Sequence, residues 1–216
     1  MLKYITAGES HGHYMAAILE GFPSGLVLDL DFINGEMRRR QGGYGRGGRQ
    51  KIETDGVEIM GGVIKKITTG APLGFLLTNK DVKIEEMPEL FRPRPGHADL
   101  AGSLKYDQGI RAVLERSSAR ETSMRVAVGA ACKLLLKAFH IEIAAHVVQI
   151  GSVSLPERDI TVEEIRKDSK DSPVRCVCKK TEKAMMQAIS RAMKNGDSLG
   201  GKYEVRATGL PIGLGS

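Results

Sequence analysis

The chain has 216 residues, 41% of them hydrophobic, and a formal net charge of +6 at pH 7. That length buries a real core as one large domain or two small ones, and a positive balance this modest fits anionic small molecules as well as nucleic acid. Five Tyr, five Phe and no Trp argue against an aromatic stacking platform, and Cys132, Cys176 and Cys178, with no CxxC among them, suggest neither a disulfide framework nor a zinc site.

Taken in chain order, residues 2–6 and 15–19 read as short strands around a Gly/Ser/His turn. Residues 31–40 look like a short helix that ends at Gly42. Residues 57–60, 63–68 and 73–78 read as strands, separated by Gly61-Gly62 and by Thr69-Gly70-Ala71-Pro72. A polar, Pro-punctuated loop is expected from 81 to 102. The strongest helical pattern runs from 111 to 139, rich in Ala, Leu, Arg and Glu and apolar over most of its circumference, so it must be largely buried. Residues 140–153 return as strand, 162–170 and 182–194 as helices, and 202–208 as a final strand. Strands grouped as hairpins around long helices favour an α+β fold in one domain spanning 1–216. Lys3 precedes any apolar stretch and no run approaches membrane-spanning length, so a soluble cytoplasmic protein with free thiols is expected.

Four stretches carry chemistry. Residues 37–51, MRRRQGGYGRGGRQK, place six cations among five glycines with no acid between them. Arg presents a planar fork of donors that fits phosphate and carboxylate oxygens in pairs, and Gly lets the backbone approach a ligand and add its own N–H groups. Arg40, Arg46 and Arg49 are therefore candidate anion binders. A solvated loop is the plainer alternative. An RNA-binding segment is weaker still, because only Tyr44 offers a stacking face. Gly8-Glu9-Ser10-His11-Gly12 matches the G-x-S-x-G nucleophile elbow in letters, but seven residues cannot supply the sheet that the elbow needs before it. What survives is a glycine-flanked turn that exposes Ser10, His11 and His13, with His suited to proton transfer near neutral pH.

In the third stretch, Arg92-Pro93-Arg94-Pro95-Gly96-His97-Ala98-Asp99, a rigid loop presents His97 beside two cations and a carboxylate; a surface turn is the alternative. The fourth is Arg116-Ser117-Ser118-Ala119-Arg120-Glu121-Thr122, at the head of the long helical pattern. Arg116 and Arg120 would share a helix face there, and Ser117 or Ser118 would cap a helix start, whose free N–H groups favour phosphate. Plain capping with an Arg–Glu surface pair is the competing reading.

Together these stretches resemble one family. GESHG, RRRQGGYGRGGRQKIETDGVEIMGGV, TTGAPLGFLLTNKD, RPGHAD, ERSSARET and GDSLGG stand in the order found in chorismate synthases. The resemblance runs along nearly the whole chain and matches the first half to two thirds of that family. It implies long central helices sandwiched between antiparallel β-sheets, with a C-terminal part absent. It also implies anti-1,4-elimination of phosphate from 5-enolpyruvylshikimate 3-phosphate, with reduced FMN as cofactor and NADPH as one reductant for it. By the same resemblance His11 protonates the departing phosphate and His97 stands near the flavin. Ser10, Arg40, Arg46, Arg49 and Arg120 bind substrate; Arg116, Ser117 and Ser118, with Arg40 and Arg46, hold the cofactor. A homotetramer is implied, with a small anionic substrate as partner and neither nucleic acid nor membrane. The family's C-terminal Asp and its Lys-Pro-Thr segment find no match here, which opens the alternative of a non-catalytic form that retains the fold and anion binding. His11, Arg40 and Arg46 are expected to converge on one pocket.

Overall fold

The computed structural model describes residues 1–45 and 55–214. By density of contacts these divide into two compact units, Met1–Arg40 with Lys51–Cys132, and Gln41–Gln50 with Lys133–Ser216.

The first unit holds a four-stranded antiparallel sheet in the order β1-β2-β6-β3, formed by β1 (Lys3–Gly8), β2 (Tyr14–Glu20), β3 (Glu58–Gly61) and β6 (Leu73–Thr78). Alternation explains which side is core: Met15, Ala17 and Leu19 of β2 and Leu73, Phe75 and Leu77 of β6 are buried, whereas Tyr14 and Ile18 are exposed. Each large side chain so removed from water contributes about 1.5–3 kcal/mol. Helix α1 (Leu30–Gln41) buries Ile33 and Met37, one turn apart, and carries Arg38, Arg39 and Arg40 in its last turn, where the helix dipole favours cations. The basic tract thus begins inside a helix.

Residues 63–68 do not form one strand. β4 (Val63–Ile64) and β5 (Ile67–Thr68) are a hairpin, with Lys65 and Lys66 both at positive φ as a two-residue turn of this hand requires. No Gly or Asn announces that turn, so the apolar run read as continuous. The loop expected from 81 to 102 gives way to helix α2 (Asp99–Tyr106), which closes on left-handed Asp107.

The long helix expected over 111–139 is broken. α3 (Ile110–Arg116) stops at Ser117, a single 3-10 turn follows over Ala119–Glu121, and α4 (Thr122–Ala138) then runs on. The cause is Ser118. Its backbone is extended and its hydroxyl accepts from the Arg120 N–H, a local bond that competes with helix continuation. α4 buries Met124, Ala127, Val128, Ala130 and Ala131, while Leu134 and Leu135 are half-buried.

In the second unit, β7 (Glu142–Ile150) pairs antiparallel with β8 (Val153–Ser154) and β9 (Gly201–Thr208). Helix α5 (Val162–Asp168) opens with a complete capping box between Thr161 and Glu164, and α6 (Lys179–Lys194) buries Met185 against Val174 and Cys176. Ala144, Ile160, Val162, Ile165 and Val177 form a second cluster. Cys132, Cys176 and Cys178 are free thiols. No helix among the described residues is long and apolar enough to cross a membrane, and no group of three or more His, Cys, Asp or Glu among them could hold a metal ion.

Candidate active site

The first unit brings Ser10, His11, Arg40, Ser118 and Arg120 together around the turn between β1 and β2. Gly8 takes φ +117°, and a Cβ there would lie 2.4 Å from the Tyr14 carbonyl oxygen, so only glycine closes this turn. Asn79, just past β6, holds the turn from inside. Its Nδ2 donates to the Gly12 carbonyl at 2.7 Å and lies 3.3 Å and 3.4 Å from those of Glu9 and Ser10. Its own N–H donates to the His13 carbonyl at 2.9 Å.

Behind Asn79 runs a charged chain. Arg120 donates to Asn79 Oδ1 from Nε at 3.0 Å and from Nη2 at 2.9 Å, and to Asp55 Oδ1 from Nη1 at 2.6 Å. The other oxygen of Asp55 accepts from Arg40 Nη1 at 3.1 Å. Arg40 also donates through Nε and Nη2 to Thr122 Oγ1, and through Nη2 to the Ala119 carbonyl, all at 3.2 Å. Asp55, Asn79 and Arg120 are all buried. Charges withdrawn from water in this way persist only when each meets a partner, and two guanidinium groups here share one carboxylate.

His11 faces a second carboxylate. Its Nδ1 lies 2.9 Å from each oxygen of Glu115, and its backbone N–H donates to Glu115 Oε2 at 2.8 Å. Nε2 stands 3.8 Å from Asp81 Oδ2, and Asp81 is paired with Lys83 at 2.8 Å. The Ser118 hydroxyl donates to Ser10 Oγ at 3.0 Å. Ser10 is therefore not exposed by the turn: it is 2% accessible, covered by Ser118 and by the Glu115 carbonyl that accepts its N–H. His13 is exposed.

A cavity of about 830 Å³ adjoins this group, lined by Arg111, Glu115, Arg116, Ser117, Ser118 and Arg125 among others. The break after α3 separates the two arginines that a continuous helix would have kept on one face. Arg116 turns to the cavity, with its guanidinium 4.6 Å from the centre of the Tyr106 ring, and Arg120 turns into the buried chain. Glu121 accepts from Arg125 at 2.8 Å and from Thr6 at 2.8 Å, and these bonds hold its carboxyl below the usual range against the opposing effect of burial.

His97 belongs to a cluster of its own. Its Nδ1 lies 2.6 Å from Asp99 Oδ1, and Arg94 Nη2 lies 2.9 Å from the same ring nitrogen. Asp99 has no accessible surface, and it also accepts from the Arg94 side chain at 2.9 Å and 3.0 Å and from its N–H at 3.0 Å. The Arg94 guanidinium and N–H, with His97 after them, hold the Asp99 carboxyl far below the usual carboxylate range. Arg46 and Arg49 lie outside the described residues, so the expected meeting of Arg46 with His11 has no geometry here. Sequence reading missed Asp55, Asn79 and Glu115. All three stand inside quoted segments, Asp55 in KIETDG, Asn79 in TNKD and Glu115 in ERSSARET, yet neither spacing nor polarity distinguishes them from surface residues.

A family model described as chorismate synthase matches residues 2–216. The chorismate synthase of Alkaliphilus metalliredigens is 50% identical over 228 residues, and that of Shouchella clausii is 50% identical over 233. Both alignments cover 100% of this chain and 60% of the relative, so the chain spans about 60% of the length of the curated relatives it matches. A solved structure titled "Crystal Structure of Chorismate Synthase" superposes with a TM-score of 0.83 at 38% identity, covering 100% of this chain and 60% of that one.

Proposed function

We propose that this chain, which belongs to the chorismate synthase family, carries a substrate- and flavin-binding active site, to which its first unit contributes Ser10, His11, Arg40, Ser118 and Arg120. The reaction is the anti-1,4-elimination of phosphate from 5-enolpyruvylshikimate 3-phosphate to give chorismate, a step of aromatic amino acid biosynthesis. The observation that carries the reading is connectivity. Ser10, Arg40, Ser118 and Arg120, remote in sequence, lie in one unit, and one hydrogen-bonded chain runs from Arg40 through Asp55, Arg120 and Asn79 to the turn that bears His11.

Substrate and cofactor both bring phosphate, and the substrate adds two carboxylates. The lining of the 830 Å³ cavity suits such ligands: guanidinium groups from Arg111, Arg116 and Arg125 and hydroxyls from Ser117 and Ser118. Two of the acids that also line it already have partners: Glu115 is hydrogen-bonded to His11, and Glu121 is paired with Arg125. Arg116, Ser117 and Ser118 would therefore hold the FMN phosphate. Reduced FMN, when bound, supplies transient electron donation to an otherwise poor allylic elimination. The chain's own part is orientation and proton supply. His11 gives a proton to the departing phosphate, and His97 holds the proton balance beside the flavin. Arg40, Arg46, Arg49 and Arg120 supply the positive field, of which Arg40 and Arg120 act from a fixed network. NADPH serves as one reductant for FMN. The chain works in the cytoplasm as a homotetramer, and binds neither nucleic acid nor membrane.

Anaerobic assay with reduced FMN and 5-enolpyruvylshikimate 3-phosphate tests this directly. Chorismate should appear, and His11→Ala should slow it by about 10²–10⁴-fold, the usual worth of a positioned proton donor. Binding of both ligands without turnover would favour the second reading, a non-catalytic form that keeps anion binding. Failure to bind either ligand would remove both.

A further inference from the structure

Glu115 stands in the last turn of α3, an unfavourable place for an anion because the helix dipole ends negative there, and only 3% of its surface is accessible. A carboxylate so placed is costly unless donors meet it. The donors come from His11: the backbone N–H at 2.8 Å on Oε2, and Nδ1 at 2.9 Å from both oxygens. Arg111 is more distant at 4.0 Å. The carbonyl of the same glutamate accepts the Ser10 N–H at 3.4 Å, so one residue grips the turn by both backbone and side chain. A clamp for the turn alone would need only the backbone contacts. The contact between carboxylate and ring adds a chemical consequence.

We propose that Glu115 is the positioning residue of His11, holding its imidazole as the Nδ1–H tautomer so that Nε2 is the atom that exchanges the proton. An ionised carboxylate is only an acceptor, so Nδ1 must carry hydrogen whether His11 is neutral or charged. A ring tied by one nitrogen to a buried carboxylate keeps its orientation through a cycle of donation and recovery. Among the described residues, the other charges near His11 include Asp81, 3.8 Å from Nε2, and Lys83, which pairs with Asp81 and whose backbone N–H donates to the His11 carbonyl. In the reaction the Nε2–H bond breaks, the proton passes to a phosphate oxygen, and the electron pair stays on Nε2. Glu115 neither gains nor loses a proton.

The inference rests on the function proposed above, and its test separates the two. Long-range ¹H–¹⁵N correlation on the chain labelled with ¹⁵N-histidine, with His11 assigned by its loss in His11→Gln, reads the tautomer without any turnover. The unaltered chain should show Nδ1–H with an unprotonated Nε2 in the neutral ring; an Nε2–H tautomer or free averaging would overturn the proposal whatever the variants do. Glu115→Gln should populate both tautomers and lower kcat by about 10²-fold with KM little changed, the pattern of an interaction made in the transition state. Unchanged kcat in a folded Glu115→Gln protein would also overturn it. Should that variant not fold, Glu115→Asp serves instead, with an intermediate tautomer ratio expected. If the chain makes no chorismate but His11 is held as Nδ1–H, the catalytic reading falls and the role of Glu115 stands.

Discussion

Asn79 Oδ1 receives two hydrogen bonds from Arg120, at 3.0 Å and 2.9 Å, and both residues are buried. The amide nitrogen of the same Asn79 is the donor that holds the His11 turn at Gly12. Arg120 thus fixes which way the carboxamide faces, and the carboxamide fixes the turn. Asn79→Ala removes the acceptor of two Arg120 hydrogen bonds and the donor that meets the Gly12 carbonyl. Loss of about 3 kcal/mol is expected, since each buried polar group left unsatisfied costs about 1–3 kcal/mol. Urea unfolding of the variant measures it; a midpoint equal to that of the unaltered chain would mean the turn is held by other contacts.

Asp55 is shared between Arg40 and Arg120, at 3.1 Å and 2.6 Å. Removing it leaves two cations facing each other in a water-poor site. Asp55→Ala should cost about 3–5 kcal/mol, the usual penalty for breaking a buried pair from one side. Arg40→Ala should then cost less in the Asp55→Ala background than alone, because the Arg40–Asp55 interaction is already gone. Strict additivity of the two substitutions would contradict the shared-carboxylate arrangement.

The Asp99 carboxyl is held far below its ordinary value of 3.8 by Arg94 and then by His97. A depressed folded-state pKa adds stability above the unfolded-state value, and that stability is lost as pH falls toward the folded one. The difference in stability between the unaltered chain and Asp99→Asn should therefore be constant from neutral pH down to the ordinary carboxylate range, then shrink in stronger acid. Thermal unfolding of both proteins across that range reads it. A gap that widens on acidification would reverse the sign and refute the assignment.

Gly102 of α2 meets α3 at close quarters: a Cβ there would lie 2.3 Å from Val113 Cγ1. Gly102→Ala should destabilise by about 1–3 kcal/mol through overpacking, although alanine is the better helix former. Val113→Ala opens the space, so the double variant should recover part of the loss. Calorimetric midpoints of the four proteins decide it, and no recovery would place the strain elsewhere.

Much of this architecture was legible in the residues. Gly and Pro punctuate a continuous apolar run and give β6 its limits, 73–78, and Gly42 lies just past the end of α1. His11, Arg40, Arg116, Ser118 and Arg120 stood out because glycine-flanked or cation-rich stretches carry a local chemical signature. The break at Ser117-Ser118 did not, since helical periodicity continues through it and one serine hydroxyl decides between capping and continuing. The hairpin at Lys65-Lys66 was hidden for a similar reason: lysine rarely marks a left-handed turn, and the pairing of Val63 with Thr68 imposes it.

Which side chains bring charge and protons follows from residue type, and so from the order of amino acids without any fold. The partners that govern those side chains were decided by tertiary structure alone. Glu115 is 104 positions from His11, and Asp55 is 65 from Arg120. The energy that joins each pair comes from excluding water around it, and no local pattern encodes which distant carboxylate will be buried beside which cation.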